Sequence, residues 1–184
     1  IVLAEADEYD RSFLMLHPQI AVVSSLDADH LDIYGSKDEL KKSYNDFLAQ
    51  IGTNGHAIVN SKAVTSLHIP TNCQATNYSL SDKANFSATN IRIESGRYIF
   101  DINTPENIIE DISSGLPGRH NVENAIAAAA VALHMGVETK IIKKALDSFT
   151  GVKRRFEYQY QSEDVIYIDD YAHHPVELEA CIAS

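Results

Sequence analysis

Two asparagines open a predicted helix at a spacing that suits contact with a nucleotide base. Asn121 and Asn124 follow Gly118 and lead into the alanine-rich run 125–130. Residues three positions apart lie on the same face of a helix, so both amides can meet one planar ligand. An amide donates and accepts hydrogen bonds together, as the edge of a purine requires. The alternative is that both asparagines only cap and solvate the first helical turn.

Two acidic segments carry the ligands that a hard cation prefers. Residues 5–8 supply three carboxylates, and residues 27–32 place a histidine among aspartates. Magnesium at nucleotide sites is bound mainly through oxygen atoms. Glu5 and His30 are therefore candidate metal ligands. The alternatives are a solvated acidic loop and a loop histidine that only makes hydrogen bonds.

A basic cluster and a histidine pair complete the candidate groups. Arg155 ends the cluster 153–155, which directly follows a predicted hinge at residues 150–151. A guanidinium placed there can move onto a phosphate and stabilise its charge during transfer. His173 lies in segment 169–175, between an apolar strand and a predicted helix, where polar groups collect in parallel sheets. The alternatives are an ordinary basic surface patch and a helix cap.

Composition limits the possible partners. The 184 residues carry a formal net charge of −11, which argues against general binding to nucleic acid or to an anionic membrane. The two cysteines, Cys73 and Cys181, show neither a disulfide framework nor the spacing of a zinc site. No apolar run reaches the length of a membrane span, and no signal peptide is evident. These features predict a cytoplasmic protein.

The first part of the chain predicts a parallel sheet with helices. Apolar runs at 1–5, 20–24 and 57–60 are typical of buried strands. A capping box at Ser36 predicts an amphipathic helix over about 37–50. Because the chain would begin inside a buried strand, we expect this sequence to be an excerpt of a longer protein.

The second part of the chain predicts an antiparallel excursion followed by helices and a new hairpin. Residues 74–114 alternate apolar and polar side chains around a turn. Helical periodicity covers 120–134 and 138–149, and alternation returns at 155–160 and 165–169. A mostly parallel sheet flanked by helices, with an antiparallel β excursion, defines the predicted fold class, α/β.

Taken in order, the motifs AEADE, ADHLD-x-YG, GRHNVENA, TGVKRRFE and IDDYAHHP resemble those of the Mur ligases. The resemblance runs through essentially the whole chain. It is closest to the branch that joins L-alanine to UDP-N-acetylmuramate in peptidoglycan synthesis. Any one motif is weak evidence, but five in family order with similar gaps are specific.

The resemblance implies a three-domain enzyme of which this chain is a fragment. Residues 1–150 would form the central ATP-binding domain, with a P-loop NTPase-like sheet truncated at its N-terminus. Residues 151–184 would form the hinge and the start of a Rossmann-like C-terminal domain. The glycine-rich phosphate loop of the family is missing from this sequence, so we expect the fragment alone to be inactive.

The resemblance also implies roles for individual residues. Asn45 stands about where several relatives have a carbamoylated lysine, which agrees with the alanine-adding branch. The remaining roles are magnesium binding by Glu5 and His30, adenine contact by Asn121 and Asn124, terminal-phosphate contact by Arg155, ribose and nucleotide contacts by Asp170 and Tyr171, and a place in the alanine site for His173.

The implied activity is ATP-dependent amide-bond formation through an acyl phosphate, with ATP and Mg²⁺ as cofactors. Its substrates would be UDP-N-acetylmuramate and L-alanine, and its product would serve cell wall biogenesis, cell shape and cell division. The nearest alternative is the recycling ligase that attaches a tripeptide to the same sugar nucleotide. Alternatives of another class are a metal-dependent phosphoester hydrolase and a non-catalytic nucleotide-binding module. The sequence does not predict an oligomeric state.

Overall fold

The chain forms two structural units, Ile1–Tyr78 and Ser79–Ser184. The structure is a computed structural model that describes residues 1–26, 31–81 and 83–184, apart from the side chains of residues 31, 32 and 176. This division at Tyr78 and Ser79 does not correspond to the domain boundary predicted between residues 150 and 151. That boundary stays a prediction.

The described residues of the first unit include parallel β-strands. Strand β1 (Ile20–Val23) and strand β3 (Gln74–Ser79) both pair in parallel with β2 (His56–Asn60), which lies between them. His56 lies beside Ile20 on one side and beside Gln74 on the other. The predicted strands at 20–24 and 57–60 are confirmed.

One helix of the first unit begins where the sequence predicts. The Ser36 hydroxyl accepts a hydrogen bond of 3.2 Å from the backbone N–H of Glu39, which confirms the capping box. The described residues of this unit form a 3-10 helix (Ser12–Met15) and the α-helices α1 (Leu31–Tyr34), α2 (Lys37–Leu48) and α3 (Ser61–Val64).

Helix α2 packs its apolar face into the core of the first unit. Phe47 and Leu48 are buried together with Phe13 of the 3-10 helix and with Ala21 and Val59 of the sheet. The Phe13 and Phe47 rings lie 5.2 Å apart, in the tilted arrangement that aromatic pairs favour. The core therefore packs the 3-10 helix, α2 and the sheet together.

The strand predicted at residues 1–5 is wrong. Residues 1–8 have no regular secondary structure, and Ile1, Val2 and Leu3 are exposed. A strand needs a neighbouring strand for its backbone hydrogen bonds, and none of the described strands pairs with this segment. Apolar composition alone was therefore insufficient evidence.

The second unit begins with three antiparallel strands, β4 (Phe86–Glu94), β5 (Arg97–Asn103) and β6 (Ile108–Ser114). Ser95 and Gly96 form the predicted turn between β4 and β5, with φ values of 50° and 78°. Positive φ at both positions matches the twist of a two-residue hairpin. The predicted excursion is confirmed except at its start, because β3 follows a crossover through α3 and runs parallel to β2.

Two helices follow the antiparallel strands. Helix α4 (Arg119–His134) buries a face made largely of alanine, which permits close contact with β4 and β6, and α5 (Thr139–Ser148) packs against β6. Arg97 fixes the end of α5, since Nη2 donates to the carbonyl of Asp147 at 2.8 Å. Both predicted helices are confirmed.

The last elements follow the predicted hinge. They are β7 (Glu157–Gln161), antiparallel β8 (Ile166–Asp169) and α6 (Pro175–Ile182), as the sequence predicts. Gly151 has a φ of 96°, and a Cβ there would lie 2.8 Å from Cδ2 of Leu116. Glycine therefore suits this position on both counts. Motion at the hinge stays a prediction.

These elements confirm the α/β fold class. The first unit combines parallel strands with helices, and the second combines antiparallel strands with helices. None of the described helices combines the length and the apolar character that crossing a bilayer demands.

Candidate nucleotide and metal site

Helix α4 begins in a crowded backbone turn. Gly118 is its N-cap, with φ 95° and ψ 139°, and its carbonyl accepts from the N–H of Val122 at 3.2 Å. A Cβ at Gly118 would lie 2.5 Å from Oγ of Ser184 and 2.6 Å from Cε1 of His120. The absence of a Cβ at Gly118 leaves room for the Ser184 and His120 side chains beside the start of this 16-residue helix. N–H groups at such an end favour anions.

The two predicted adenine contacts differ in their surroundings. Asn121 is half-buried, and its Nδ2 donates to the carbonyl of Pro117 at 2.7 Å. Asn124 is exposed one turn further along. The contact of Asn121 favours the capping interpretation for part of its amide, whereas Asn124 is accessible to a ligand. Their roles in nucleotide binding stay predictions.

His120 lies on the same first turn and gives a prediction for stability. Burial holds the pKa of its imidazole below the usual 6.5, and the nearby Asp170 carboxylate opposes that shift. The unfolded chain therefore binds a proton more readily than the folded chain does. We expect the free energy of unfolding to fall as the pH drops below about 6.5.

Urea unfolding at pH 7.5 and pH 5.5 checks this expectation. The protein with His120→Gln should lose less stability between the two pH values than the unsubstituted protein does. Equal losses in both proteins would show that His120 does not contribute to acid sensitivity.

The segment after the hinge turns sharply through two residues of positive φ. Arg154 and Phe156 have φ values of 59° and 50°, although Phe156 is bulky and buried. Such a conformation is uncommon for a large side chain and persists only when its surroundings hold it. The Arg154 N–H donates to Oε2 of Glu157 at 2.8 Å, which is one of these holding contacts.

Asp170 provides the second holding contact. Its Oδ2 accepts from the N–H of Phe156 at 2.6 Å, and its Oδ1 accepts from the N–H of Ala172 at 2.7 Å. The Tyr171 N–H also donates to the carbonyl of Arg154 at 2.8 Å. These bonds join the loop 153–156 to the loop 170–174, and we call the pair the hinge clasp. Asp170 therefore has a structural role beside its predicted ribose contact.

Tyr171 and His173 stand on the exposed side of the hinge clasp. Cζ of Arg154 lies 4.8 Å from the centroid of the Tyr171 ring, within the range of a cation–π contact. The His173 ring meets the Tyr171 ring nearly edge-on, with centroids 5.3 Å apart. Tyr171 is half exposed, so its ring has surface left for a ligand.

Arg155 and His173 are brought together through Glu177. Nη1 of Arg155 lies 4.0 Å from Oε1 of Glu177, and Nδ1 of His173 lies 3.6 Å from Oε2 of the same carboxylate. The structure thus places Arg155, Asp170, Tyr171 and His173 in one clasp, as a common site requires. Whether these residues act in catalysis or binding stays a prediction.

The acidic segment 5–8 contacts α1 in the first unit at Tyr34, the last residue of that helix. The buried Tyr34 hydroxyl donates to the carbonyl of Glu8, and Cζ of Arg11 lies 4.8 Å from the Tyr34 ring centroid. Burial and the negative charge of Glu8 raise the pKa of Tyr34, so the hydroxyl keeps its proton. Glu5 itself is exposed.

Of the two predicted metal ligands, Glu5 belongs to the described residues. His30 lies outside the described residues, directly before α1. Within the described ranges, no group of three His, Cys, Asp or Glu side chains is arranged to hold a metal ion. The donors present in segment 5–8 are carboxylate oxygens, which fit Mg²⁺. The Glu5 and His30 ligand pair stays a prediction.

Sequence reasoning missed three residues that shape the site. Glu177 and Glu157 hold backbone N–H groups of the hinge clasp, and Arg154 rather than Arg155 covers Tyr171. The role of Glu177 could have been predicted from the sequence, because it is the third residue of a helix that begins at Pro175, a position where an acidic side chain often caps the helix. The roles of Glu157 and Arg154 depend on positive φ values that no sequence motif predicted.

The fold described above is that of an α/β protein. The profile of the Mur ligase middle domain matches residues 3–132. The chain is 46% identical over 180 residues to the UDP-N-acetylmuramate–L-alanine ligase of Christiangramia forsetii, an alignment that covers 98% of this chain and 38% of that relative. The chain therefore belongs to the Mur ligase family and spans well under half of that relative's length.

Solved structures agree with this fold. UDP-N-acetylmuramate-alanine ligase MurC from Thermotoga maritima has a TM-score of 0.80 at 21% identity, covering 97% of this chain and 40% of that one. MurF ligase from Thermotoga maritima, in complex with ADP, has a TM-score of 0.76 at 17% identity, covering 90% of this chain and 38% of that one. At these identities the likeness shows the fold alone.

Proposed function

We propose that the full-length protein containing this chain joins L-alanine to UDP-N-acetylmuramate with consumption of ATP. The observation that carries the proposal is the 46% identity over 98% of the chain to a ligase of that name. The hinge clasp supports it, because a cationic and an imidazole side chain stand together there. The protein would act in cell wall synthesis.

In this proposal the nucleotide lies at the start of α4. Asn124, which is exposed, and the free part of the Asn121 amide contact the adenine edge. Tyr171 offers its ring beside the nucleotide, and Asp170 accepts from a ribose hydroxyl with the lone pairs that its two backbone bonds leave. A MurF relative of the same fold is recorded with ADP, which supports nucleotide use.

Phosphoryl transfer to the sugar carboxylate needs charge neutralisation more than a nucleophilic side chain. Arg155 would contact the terminal phosphate and stabilise the charge that shifts onto the transferred group. Glu5 and His30 would hold Mg²⁺, which when bound screens the phosphate oxygens. The carboxylates of segment 5–8 support this assignment, since their oxygen atoms suit Mg²⁺.

His173 is suited to the second step, in which the amine of L-alanine attacks the acyl phosphate. Its Nδ1 lies 3.1 Å from the carbonyl of Tyr171, and a carbonyl can only accept. The neutral imidazole therefore carries its proton on Nδ1 and leaves Nε2 as an acceptor. Nε2 can take the proton that the amine loses as the amide forms.

The full-length protein provides the test. Phosphate release from ATP and Mg²⁺ should require both UDP-N-acetylmuramate and L-alanine. Release that does not need L-alanine would contradict the proposal and favour a hydrolase. Release with a tripeptide in place of L-alanine would favour the recycling ligase, and nucleotide binding without any release would favour a binding module.

Asn124→Ala gives a prediction for nucleotide binding. The loss of one or two amide hydrogen bonds should raise the KM for ATP about 5- to 10-fold. Because Asn124 is exposed, the unfolding temperature should stay the same. Steady-state kinetics with ATP as the varied substrate check this, and the KM for L-alanine serves as the internal control. An unchanged KM for ATP would reduce Asn124 to a solvated helix position.

A further inference from the structure

The Glu177 carboxylate stands between the two residues to which the proposed function assigns the chemistry. Its Oε1 lies 4.0 Å from Nη1 of Arg155, and its Oε2 lies 3.6 Å from Nδ1 of His173. We propose that Glu177 is a positioning residue that holds the Arg155 guanidinium beside His173 until a phosphate group replaces it as the partner of Arg155. This inference rests on the proposed function, since it needs Arg155 to act on phosphate.

The position of the carboxylate does not depend on Arg155. Oε2 of Glu177 accepts from the N–H of His173 at 3.2 Å and from the N–H of His174 at 3.4 Å. Glu177 is the third residue of α6, where a negative charge is favoured by the free N–H groups of the helix. One oxygen is thus anchored to the backbone, and the other remains to attract the guanidinium.

Arg155 is oriented by this contact but is not locked by it. A separation of 4.0 Å lies outside hydrogen-bond range. In the part of the chain that the structure describes, the Arg155 guanidinium makes no hydrogen bond, and its side chain is 56% exposed. A solvated ion pair of this kind is weak, whereas a bidentate bond to phosphate is strong. Glu177 therefore guides the guanidinium without competing effectively with phosphate.

Glu177→Gln in the full-length protein separates the charge from the helix cap. The glutamine oxygen can still accept the backbone N–H groups, so the free energy of unfolding should fall only by the small contribution of the lost charge at the helix start. The kcat for amide formation should fall about 3- to 5-fold, which is the size of one exposed ion pair. Glu179→Gln removes the same charge from an exposed position of the same helix and should leave kcat unchanged.

A double-mutant cycle tests whether Glu177 acts through Arg155. In an Arg155→Gln background, assayed at higher enzyme concentration, Glu177→Gln should lower kcat by less than about 2-fold. An equal loss in both backgrounds, no loss beside an intact Arg155, or an equal loss in Glu179→Gln would each overturn the positioning role. If Arg155→Gln alone left ligation unimpaired, the proposed function of Arg155 would fail, and this inference with it. If Arg155→Gln impairs ligation while Glu177→Gln does not, only the positioning role fails.

Discussion

Arg155→Ala in the full-length protein should lower kcat about 10²- to 10³-fold. The expected loss is large because the guanidinium would meet the charge that moves onto the transferred phosphoryl group. The KM for L-alanine should change little, because Arg155 would not contact the amine. Steady-state phosphate release with saturating UDP-N-acetylmuramate measures the effect.

Lys153→Ala is the matched control for Arg155→Ala. Lys153 belongs to the same basic cluster and is also exposed, but it is assigned no contact with phosphate. A comparable loss of kcat in both variants would point to general electrostatic attraction of an anion rather than to a placed guanidinium. Arg155→Lys should recover only part of the activity, since an ammonium cannot bind phosphate in the bidentate way.

Glu5→Ala should reduce turnover by a similar factor and leave the fold intact. Glu5 is exposed and lies in a segment without regular structure, so its removal should not unfold the first unit. Its carboxylate is the proposed oxygen ligand of Mg²⁺, which screens the phosphate oxygens. Activity measured against Mg²⁺ concentration checks the prediction, and raised Mg²⁺ should restore part of the loss.

Glu8→Ala is the control for Glu5→Ala. Glu8 belongs to the same acidic segment, but its hydrogen bond with the Tyr34 hydroxyl is made through its backbone carbonyl, which alanine retains. Full activity of Glu5→Ala at ordinary Mg²⁺ concentration would refute the ligand role. A larger loss in Glu8→Ala would move that role to the neighbouring carboxylate.

Local patterns predicted most of the secondary structure. The capping box at Ser36, the turn at Ser95 and Gly96, and the periodicity of α4 each depend on neighbouring residues, and all three are confirmed. The strand predicted at residues 1–5 was wrong because a strand depends on a partner strand that the local sequence does not identify.

Motif order indicated the candidate site residues but not how they are arranged. Arg155, Asp170, Tyr171 and His173 were found through motif order, and the structure gathers them in the hinge clasp. The double hydrogen bond of Asp170 and the bridging position of Glu177 could not be derived in this way. They arise from positive φ values and from packing between loops.

The most direct test of the central claim follows an oxygen atom. If the sugar carboxylate is activated as an acyl phosphate, UDP-N-acetylmuramate labelled with ¹⁸O in that carboxylate should give released phosphate that carries one ¹⁸O atom. Mass spectrometry of the phosphate after a single round of ligation measures this. Amide product accompanied by unlabelled phosphate would contradict the account, because the carboxylate would then never have received the phosphoryl group.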